Sequence, residues 1–293
     1  MKFDIPSGAE HILQTLTRAG HEAFLVGGCV RDLLRGVRPH DWDICTSARP
    51  EETEGCFPGR RVIETGLKHG TVAVVEDGAA YEITTYRTEG PYSDGRRPDF
   101  VRFVSELETD LARRDFSMNA IALGLDGALR DPFGGEEDIK AGVIRCVGEP
   151  SRRFQEDGLR VMRALRFSAS LGYEIEKETA WAIHDSRTAL THVSAERVNE
   201  EVRQLLVGER AGDVLRGYPD ALCRFWPELE ALAAPGRNGW ERAARAVESA
   251  PAELIPRLAA LLHDAGDDEA DRMLLALRFG KKIRKRVIAL MKR

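Results

Sequence analysis

The chain has 293 residues, of which 43% are hydrophobic and 31% charged, and its formal net charge is −5. This length predicts about two domains of roughly 150 residues each. No apolar run approaches the roughly 20 residues that cross a bilayer, so we expect a cytoplasmic protein that does not bind membranes. The five cysteines are scattered without a CxxC pair, which argues against a zinc knuckle and a disulfide framework.

The secondary-structure pattern changes near residue 150. Up to about residue 147, strand-like segments such as "EAFLVGG", "DWDICTS", "TVAVVEDG" and "YEITTYR" alternate with short helices, which predicts an α/β region. Residues 88–100, which include Gly90, Pro91 and Gly95, are rich in Gly, Pro and charge and predict a loop. From about residue 153, helical periodicity dominates, as in "EDGLRVMRALRFSASLG", and predicts an all-α region.

A glycine pair stands at the first turn of the α/β region. Gly27 and Gly28 follow the predicted strand "AFLV" and open the predicted helix "VRDLLRG". Backbone N–H groups at such a turn can approach a triphosphate closely. Arg31, in the first turn of the helix, can add a charge-assisted contact to the same phosphates.

Two aspartates, Asp41 and Asp43, lie on the next predicted strand. Successive strand side chains point to opposite faces, so we expect both carboxylates to face one spot. A divalent cation relieves their repulsion, and hard oxygen ligands suit Mg²⁺. Glu82, on the face of a neighbouring predicted strand opposite its apolar neighbours, is a third candidate. The DxD pattern alone is common at polar strand ends. Here, however, it follows a strand, a GG turn and a helix, and this order of elements resembles that of polymerase-β-type nucleotidyltransferases.

Four long motifs resemble bacterial tRNA CCA-adding enzymes and the related bacterial poly(A) polymerases, the class II nucleotidyltransferases. The motifs are "GGCVRD…DWD", "RRDFSMNAIA", "DPFGGEEDIKAGVIRCVGEPSRRFQEDGLRVMRALRF" and "VSAERVNEEVRQLL". The resemblance implies an α/β catalytic head of polymerase-β type over residues 1–147, an all-α neck over 148–210 and a helical body over 211–293. Family members usually continue into a helical tail, so we expect the body to be partial.

The resemblance also implies a set of site residues. Asp41 and Asp43 are expected to bind the catalytic Mg²⁺. Glu82 is expected to be a third catalytic carboxylate on the strand pattern given above, not on the resemblance. The residues expected to bind the nucleotide are Gly28, Arg31, Arg114, Asp157, Arg160, Arg163 and Arg166. Asp115 and Asn119 are expected only to support the site, and Arg197 to brace a domain junction rather than contact substrate.

The segment that begins at Asp157 can also be interpreted from its own pattern. Asp157 and Arg160 lie at i and i+3, which on a helix makes them neighbours, while Leu159, Met162 and Leu165 form an apolar stripe. The Asp157 carboxylate can accept a hydrogen bond from an exocyclic amino group of a base, while Arg160 donates to an unprotonated ring nitrogen next to it. Cytosine and adenine present that edge, and uracil and guanine do not. The pair is therefore expected to accept CTP and ATP.

The predicted reaction joins the 3′-hydroxyl of an RNA, above all tRNA, to the α-phosphate of CTP or ATP without a template. A poly(A) polymerase, or an enzyme restricted to A or CC addition, is the alternative within the family because it shares these motifs. A non-catalytic RNA-binding protein is disfavoured by the intact carboxylates. The last fourteen residues, "GKKIRKRVIALMKR", carry seven Lys and Arg and no acid, which indicates either a solvated helix face or a surface that follows a phosphate backbone.

Overall fold

A mixed sheet organises the first of two units in the computed structural model, which describes residues 3–90, 99–185, 193–233 and 239–292. The described part of the first unit covers residues 3–90, 99–141 and 145–148. The second unit contains Gly142–Ile144 and the described residues from Glu149 onward. Positions 91–98 of the predicted loop, which include Pro91 and Gly95, lie outside the described residues.

The first unit contains short helices and strands. Its α-helices are α1 (Ser7–Arg18), α2 (Gly28–Leu34), α3 (Pro50–Cys56), α4 (Leu107–Ala112) and α5 (Gly135–Ala141). Its strands are β1 (Ala23–Val26), β2 (Asp43–Thr46), β3 (Val62–Gly66), β4 (Thr71–Glu76), β5 (Ala79–Thr85), β6 (Arg87–Glu89), β7 (Val101–Phe103), β8 (Ala122–Leu123) and β9 (Leu129–Arg130). Within the described residues, β6 and β7 form a hairpin and the others form a seven-stranded sheet in the order β3-β4-β5-β2-β1-β8-β9.

The parallel pair in this sheet, β2 with β5, positions the predicted carboxylates. Along β5, Tyr81 and Ile83 are buried while Glu82 between them is exposed, as the strand alternation predicts. The register sets Asp43 opposite Glu82. The prediction that the strand carrying Glu82 lies beside the strand of Asp43 is therefore confirmed.

The core of the first unit packs against the same strands. Val26, Cys45, Tyr86, Leu111 and Ala122 belong to one cluster of buried side chains. All five cysteines of the chain are free, and four of them are buried. Their behaviour is that of small apolar side chains, in agreement with the absence of a CxxC pair.

The described part of the second unit is mainly helical. Its α-helices are α6 (Pro150–Glu156), α7 (Leu159–Leu171), α8 (Lys177–Asp185), α9 (Ala195–Val207), α10 (Ala211–Gly217), α11 (Pro219–Phe225), α12 (Gly239–Ser249), α13 (Leu254–Leu261), α14 (Asp267–Ala276) and α15 (Lys281–Met291). A short parallel strand pair, β10 (Val143–Ile144) with β11 (Glu174–Ile175), is an addition that helical periodicity could not predict. Among the described residues, none of the helices combines the length and apolar character needed to cross a membrane.

Helix α7 packs against α9 in the second unit. Leu159, Met162 and Leu165 are buried as the apolar stripe predicts. Arg257 on α13 is also buried, and its Nη1 donates to the carbonyl oxygens of Leu206, at 2.7 Å, and Gly208 at the end of α9. The Leu206 carbonyl belongs to the last turn of α9, where acceptors lack intrahelical partners, so Arg257 joins α13 to the end of α9.

Candidate active site

Gly27 forms the turn between β1 and α2. Its φ of 80° lies in the region that side-chain-bearing residues rarely adopt. A Cβ atom at Gly27 would lie 3.4 Å from Nη1 of Arg114 and 3.7 Å from Oδ2 of Asp43. The glycine therefore allows the backbone to pass close to an arginine and a carboxylate that both belong to the predicted site.

Asp43 is the first residue of β2 and lies among other carboxylates. Burial raises the pKa of Asp43, the negative charges of Glu82 and Asp41 raise it further, and the positive charge of Arg114 partly opposes them. The strand begins at Asp43, however, and Asp41 lies in a bend before it. The prediction that Asp41 lies on the same strand as Asp43 is therefore wrong, and strand alternation cannot place its side chain, although its charge acts on Asp43.

The carboxylates expected at the metal site are Asp41 and Asp43, with Glu82 beside them. In the part of the chain that the structure describes, no three or more His, Cys, Asp or Glu side chains are grouped to hold a metal ion. Asp41 and Glu82 are exposed, whereas Asp43 is partly buried. Asp41 and Glu82 thus act on Asp43 through their charges, but the three carboxylates do not form a closed set of ligands.

Arg31 on α2 is oriented by two neighbours. Its Nε and Nη2 donate to the two carboxylate oxygens of Asp32 at 2.9 and 3.0 Å, and its Nη1 donates to Oδ1 of Asn119 at 3.0 Å. Asn119 in turn donates from Nδ2 to Oδ1 of Asp115 at 3.1 Å. A cation held in a two-point contact has little rotamer freedom left. A Cβ atom on Gly28 would lie 3.6 Å from Nη2 of Arg31, so this guanidinium lies beside the glycine pair.

Arg114 is held by Asp110, a residue that the sequence analysis missed. Nη2 of Arg114 donates to Oδ2 of Asp110 at 3.1 Å, and Asp110 is fully buried. Burial lowers the pKa of Arg114, but the negative charges of Asp110 and Asp43 and the hydrogen bond to Asp110 outweigh burial and keep that pKa above its ordinary value. The i, i+4 spacing of Asp110 and Arg114 is the signal in the sequence that could have identified this pair.

Asp157, in the second unit, does not form the predicted pair with Arg160. Its backbone is extended, with φ −142° and ψ 106°, and α7 begins two residues later at Leu159. Both Asp157 carboxylate oxygens accept from Arg197 on α9, at 3.1 and 2.7 Å, and Oδ1 also accepts from the Leu159 backbone N–H at 3.0 Å. The i, i+3 argument is therefore wrong, because Asp157 precedes the helix.

Arg160 is buried on α7 and contacts the preceding helix. Its Nη1 donates to Oε2 of Glu156 at 2.7 Å and to the Arg153 carbonyl oxygen at 3.1 Å. A charge with so little exposure needs a partner, and Glu156 supplies it. Asp157 and Arg160 thus belong to two separate ion pairs, Asp157–Arg197 and Glu156–Arg160, whereas the sequence predicts that they pair with each other.

Arg163 and Arg166 share a partner on α9. Nε of Arg166 lies 2.5 Å from Oε2 of Glu201, and Nη1 of Arg163 lies 3.9 Å from Oε1 of the same buried residue. The Arg166 guanidinium also lies 3.8 Å from the ring centroid of Phe167. These contacts position both arginines, and Glu201 is a further residue that local spacing could not identify.

Comparisons with known proteins match both units. A family model described as "Poly A polymerase head domain" matches residues 23–145, and one described as "Probable RNA and SrmB- binding site of polymerase A" matches residues 172–217. The solved structure of the Bacillus stearothermophilus CCA-adding enzyme in complex with CTP is 38% identical, with a TM-score of 0.83, and the match covers 97% of this chain and 69% of that chain. The chain belongs to the CCA-adding enzyme family.

Other relatives agree with this assignment. The CCA-adding enzyme of Geobacillus thermodenitrificans is 51% identical over 204 residues, which are 70% of this chain and 50% of the relative. The CCA-adding enzyme of Leuconostoc mesenteroides is 51% identical over 207 residues, 71% of this chain and 51% of the relative. The chain thus spans about half the length of the curated relatives it matches. Membership in the family confirms the resemblance seen in the motifs and the polymerase-β-type head followed by helices.

The predicted residues of this family member fall into two groups. The first unit carries Gly28, Arg31, Asp41, Asp43, Glu82 and Arg114. The second unit carries Asp157, Arg160, Arg163 and Arg166. The first group combines carboxylates with oriented cations, which suits a metal and phosphates, and the second combines acceptors and donors that suit base edges and further phosphates.

Proposed function

We propose that this chain is a cytoplasmic nucleotidyltransferase that adds C and A nucleotides from CTP and ATP to the 3′ end of tRNA, in CCA addition or repair. The observation that carries the proposal is that Gly27 lies beside both Asp43 and Arg114, with Glu82 opposite Asp43 in the strand register, in a member of the CCA-adding enzyme family. In the reaction, the RNA 3′-hydroxyl oxygen attacks the α-phosphorus. The bond to the β-phosphate oxygen breaks, and pyrophosphate leaves.

Asp41 and Asp43 are the proposed ligands of a divalent metal, Mg²⁺, with Glu82 as a further carboxylate beside them. These carboxylates suit a divalent cation. Burial raises the pKa of Asp43, and the negative charges of Glu82 and Asp41 raise it further. A bound cation offsets such repulsion. Carboxylate oxygens are the ligands that Mg²⁺ prefers. When bound, the metal would favour ionisation of the attacking hydroxyl and stabilise negative charge on the phosphates.

Arg31 and Arg114 are the proposed phosphate-binding cations of the first unit, beside the turn at Gly27 and Gly28. Each is held by carboxylate or amide oxygens of the protein: Arg31 by Asp32 and Asn119, Arg114 by Asp110. Cations positioned before the substrate binds stabilise developing charge without reorganisation. Their role is to neutralise the triphosphate and the departing pyrophosphate.

Asp157 and Arg160 are the proposed base-reading residues of the second unit. Each carboxylate oxygen has two lone pairs, so Asp157 can accept from an exocyclic amino group while it is anchored by Arg197. Arg160, anchored by Glu156, can donate to an unprotonated ring nitrogen. Arg163 and Arg166 are proposed to contact nucleotide phosphates from the same helix.

Helix α15 supports the proposal that the partner is an RNA. Lys281, Lys282, Lys285 and Arg286 are exposed, and none of them has an ion-pair partner among the described residues. Exposed cations on one helix suit the regular negative charges of a phosphate backbone. We assign α15 to a helical body over 211–293, which follows a head over 1–147 and a neck over 148–210.

The test uses three tRNA transcripts that end before CCA, after the first C and after the second C. With CTP, ATP and Mg²⁺, the proposal expects each transcript to be completed to CCA and then not extended. Long A tails would instead identify a poly(A) polymerase, and products that stop at CC, or form only from CC ends, an enzyme of restricted addition. Binding of tRNA without any extension would favour the non-catalytic RNA-binding alternative.

A further inference from the structure

We propose that Asp110 is a positioning residue that holds Arg114 in the orientation needed to bind nucleotide phosphates; this rests on the proposed function of Arg114. Asp110 is the fourth residue of α4 and is 0% exposed. An isolated carboxylate at such a position is strongly disfavoured. Its retention as a charge therefore depends on the donors around it.

Three described residues donate hydrogen bonds to the Asp110 carboxylate. Oδ1 accepts from Nε of Arg113 at 2.9 Å and from the backbone N–H of Arg87 at 3.2 Å, while Oδ2 accepts from Nη2 of Arg114 at 3.1 Å. Burial raises the pKa of Asp110, but Arg113 and Arg114 lower it and leave it below its ordinary value. Asp110 is thus ionised, and its Oδ2 atom accepts the hydrogen bond from Arg114.

Among the described residues, the hydrogen-bond acceptor of Arg114 is Asp110. Its Nε is buried and has no hydrogen-bond acceptor among the described residues, and Nη2 is the atom bonded to Asp110. Its Nη1 points toward the turn at Gly27, where a glycine Cβ would lie 3.4 Å away. One edge of the guanidinium is therefore anchored by Asp110, and another edge is directed at the site that Asp43 borders.

The same carboxylate also connects Arg114 to the β6–β7 hairpin. Nη1 of Arg113 donates to Oε1 of Glu89 on β6 at 2.9 Å, and the backbone N–H of Arg87 on β6 donates to Asp110. The hairpin and the phosphate-binding arginine thus share one buried acceptor. Because the contacts to Arg113 and Arg114 use different oxygens, the contribution of Arg114 can be tested separately.

The experiment measures CTP binding by calorimetry in Mg²⁺ buffer without RNA, so that no transfer occurs. We expect Asp110→Asn to weaken CTP binding by at least about tenfold, since an oriented hydrogen bond to a charged group is lost. We expect Arg114→Ala to weaken it as well, and the double variant Asp110→Asn/Arg114→Ala to bind no more weakly than Arg114→Ala alone. A residue with only a structural role would not show this dependence on Arg114.

The matched control is Asp138→Asn, another buried carboxylate of the first unit, which accepts from Nε of Arg145 at 3.1 Å and Oγ of Ser117 at 2.5 Å. It should bind CTP like the wild type. If Asp110→Asn does not fold, as monitored by thermal unfolding, Asp110→Glu tests the same position with the charge kept and the carboxylate displaced. Its binding defect should also disappear in the Arg114→Ala background.

The outcomes separate this inference from the proposed function. Unchanged CTP binding in a folded Asp110 variant, or losses that add in the double variant, would overturn the positioning role and leave nucleotidyl transfer untouched. A wild type that binds CTP but does not extend tRNA would refute the proposed function alone. A wild type that does not bind CTP would overturn both.

Discussion

Asp157 and Arg197 form a two-point ion pair across 40 positions of the chain, with the Nη2–Oδ2 distance at 2.7 Å. Arg160, which is three positions from Asp157, contacts Glu156 instead. The proposed acceptor and donor of base recognition therefore have separate supports, and each can be altered without removing the other. Arg197, expected only to brace a junction, holds the acceptor in place.

We expect Arg197→Met to reduce the preference for CTP and ATP over UTP and GTP by roughly tenfold, because Asp157 loses the contact that orients it. Methionine keeps much of the length of the side chain but removes the charge. The measurement is single-nucleotide incorporation of each of the four nucleotides on a tRNA that ends before CCA.

The matched control for this change is Arg210→Met, which removes an arginine of the same unit that pairs with Glu174 and Asp213. Its base preference should equal that of the wild type. An equal loss of preference in both variants, or an unchanged preference in Arg197→Met, would show that the Asp157–Arg197 pair does not govern base selection.

The carboxylate group gives a second prediction. Asp43→Asn should abolish nearly all Mg²⁺-dependent transfer, and Asp41→Ala should do the same, because the proposed metal loses a ligand. Burial and the charges of Glu82 and Asp41 raise the pKa of Asp43, so its ionised form lowers the stability of the fold at neutral pH. Thermal unfolding without divalent metal should therefore show Asp43→Asn to be at least as stable as the wild type. Substantial transfer by either variant would argue against the metal assignment.

A third prediction concerns salt dependence of RNA binding. Replacement of Lys281, Lys282, Lys285 and Arg286 by Gln should reduce the slope of log affinity for tRNA against log salt concentration by up to about 3. Binding by filter retention across a salt series gives the slope. The control replaces four exposed cations of the first unit, Arg18, Arg61, Lys68 and Lys140, with the same change in net charge. Equal slopes in both variants would exclude a specific phosphate contact by α15.

The buried carboxylate Asp110 predicts a pH dependence of stability. Burial raises its pKa, but Arg113 and Arg114 leave it below the ordinary value of 3.8. Its contribution to folding is therefore fully present above that value and is lost as pH falls through the folded-state pKa. We expect Asp110→Asn to be about 3 kcal/mol less stable than the wild type at neutral pH, with a smaller difference near pH 3. Urea unfolding at both pH values checks this, and a constant difference would contradict it.

Local patterns in the sequence determined the features that repeat over a few residues. The alternation along β5 placed Glu82 opposite Tyr81 and Ile83, and the helical spacing of Leu159 and Met162 identified the buried face of α7. Such periods follow from backbone geometry alone, so they are visible before any tertiary contact is known. The glycine pair and the ordered motifs likewise identified the family, because they reflect chemistry that few other arrangements share.

Tertiary structure alone decided which partner each charge takes. The sequence pattern predicts Asp157 on a helix with Arg160, whereas its extended backbone and the packing of α7 on α9 bring Arg197 to it. Asp110 was not singled out at all, since only the folded core shows that it is buried and that Arg114 has no other acceptor among the described residues. A charged side chain is long and can reach several neighbours, and the fold selects among them through burial, which makes an unpaired charge costly.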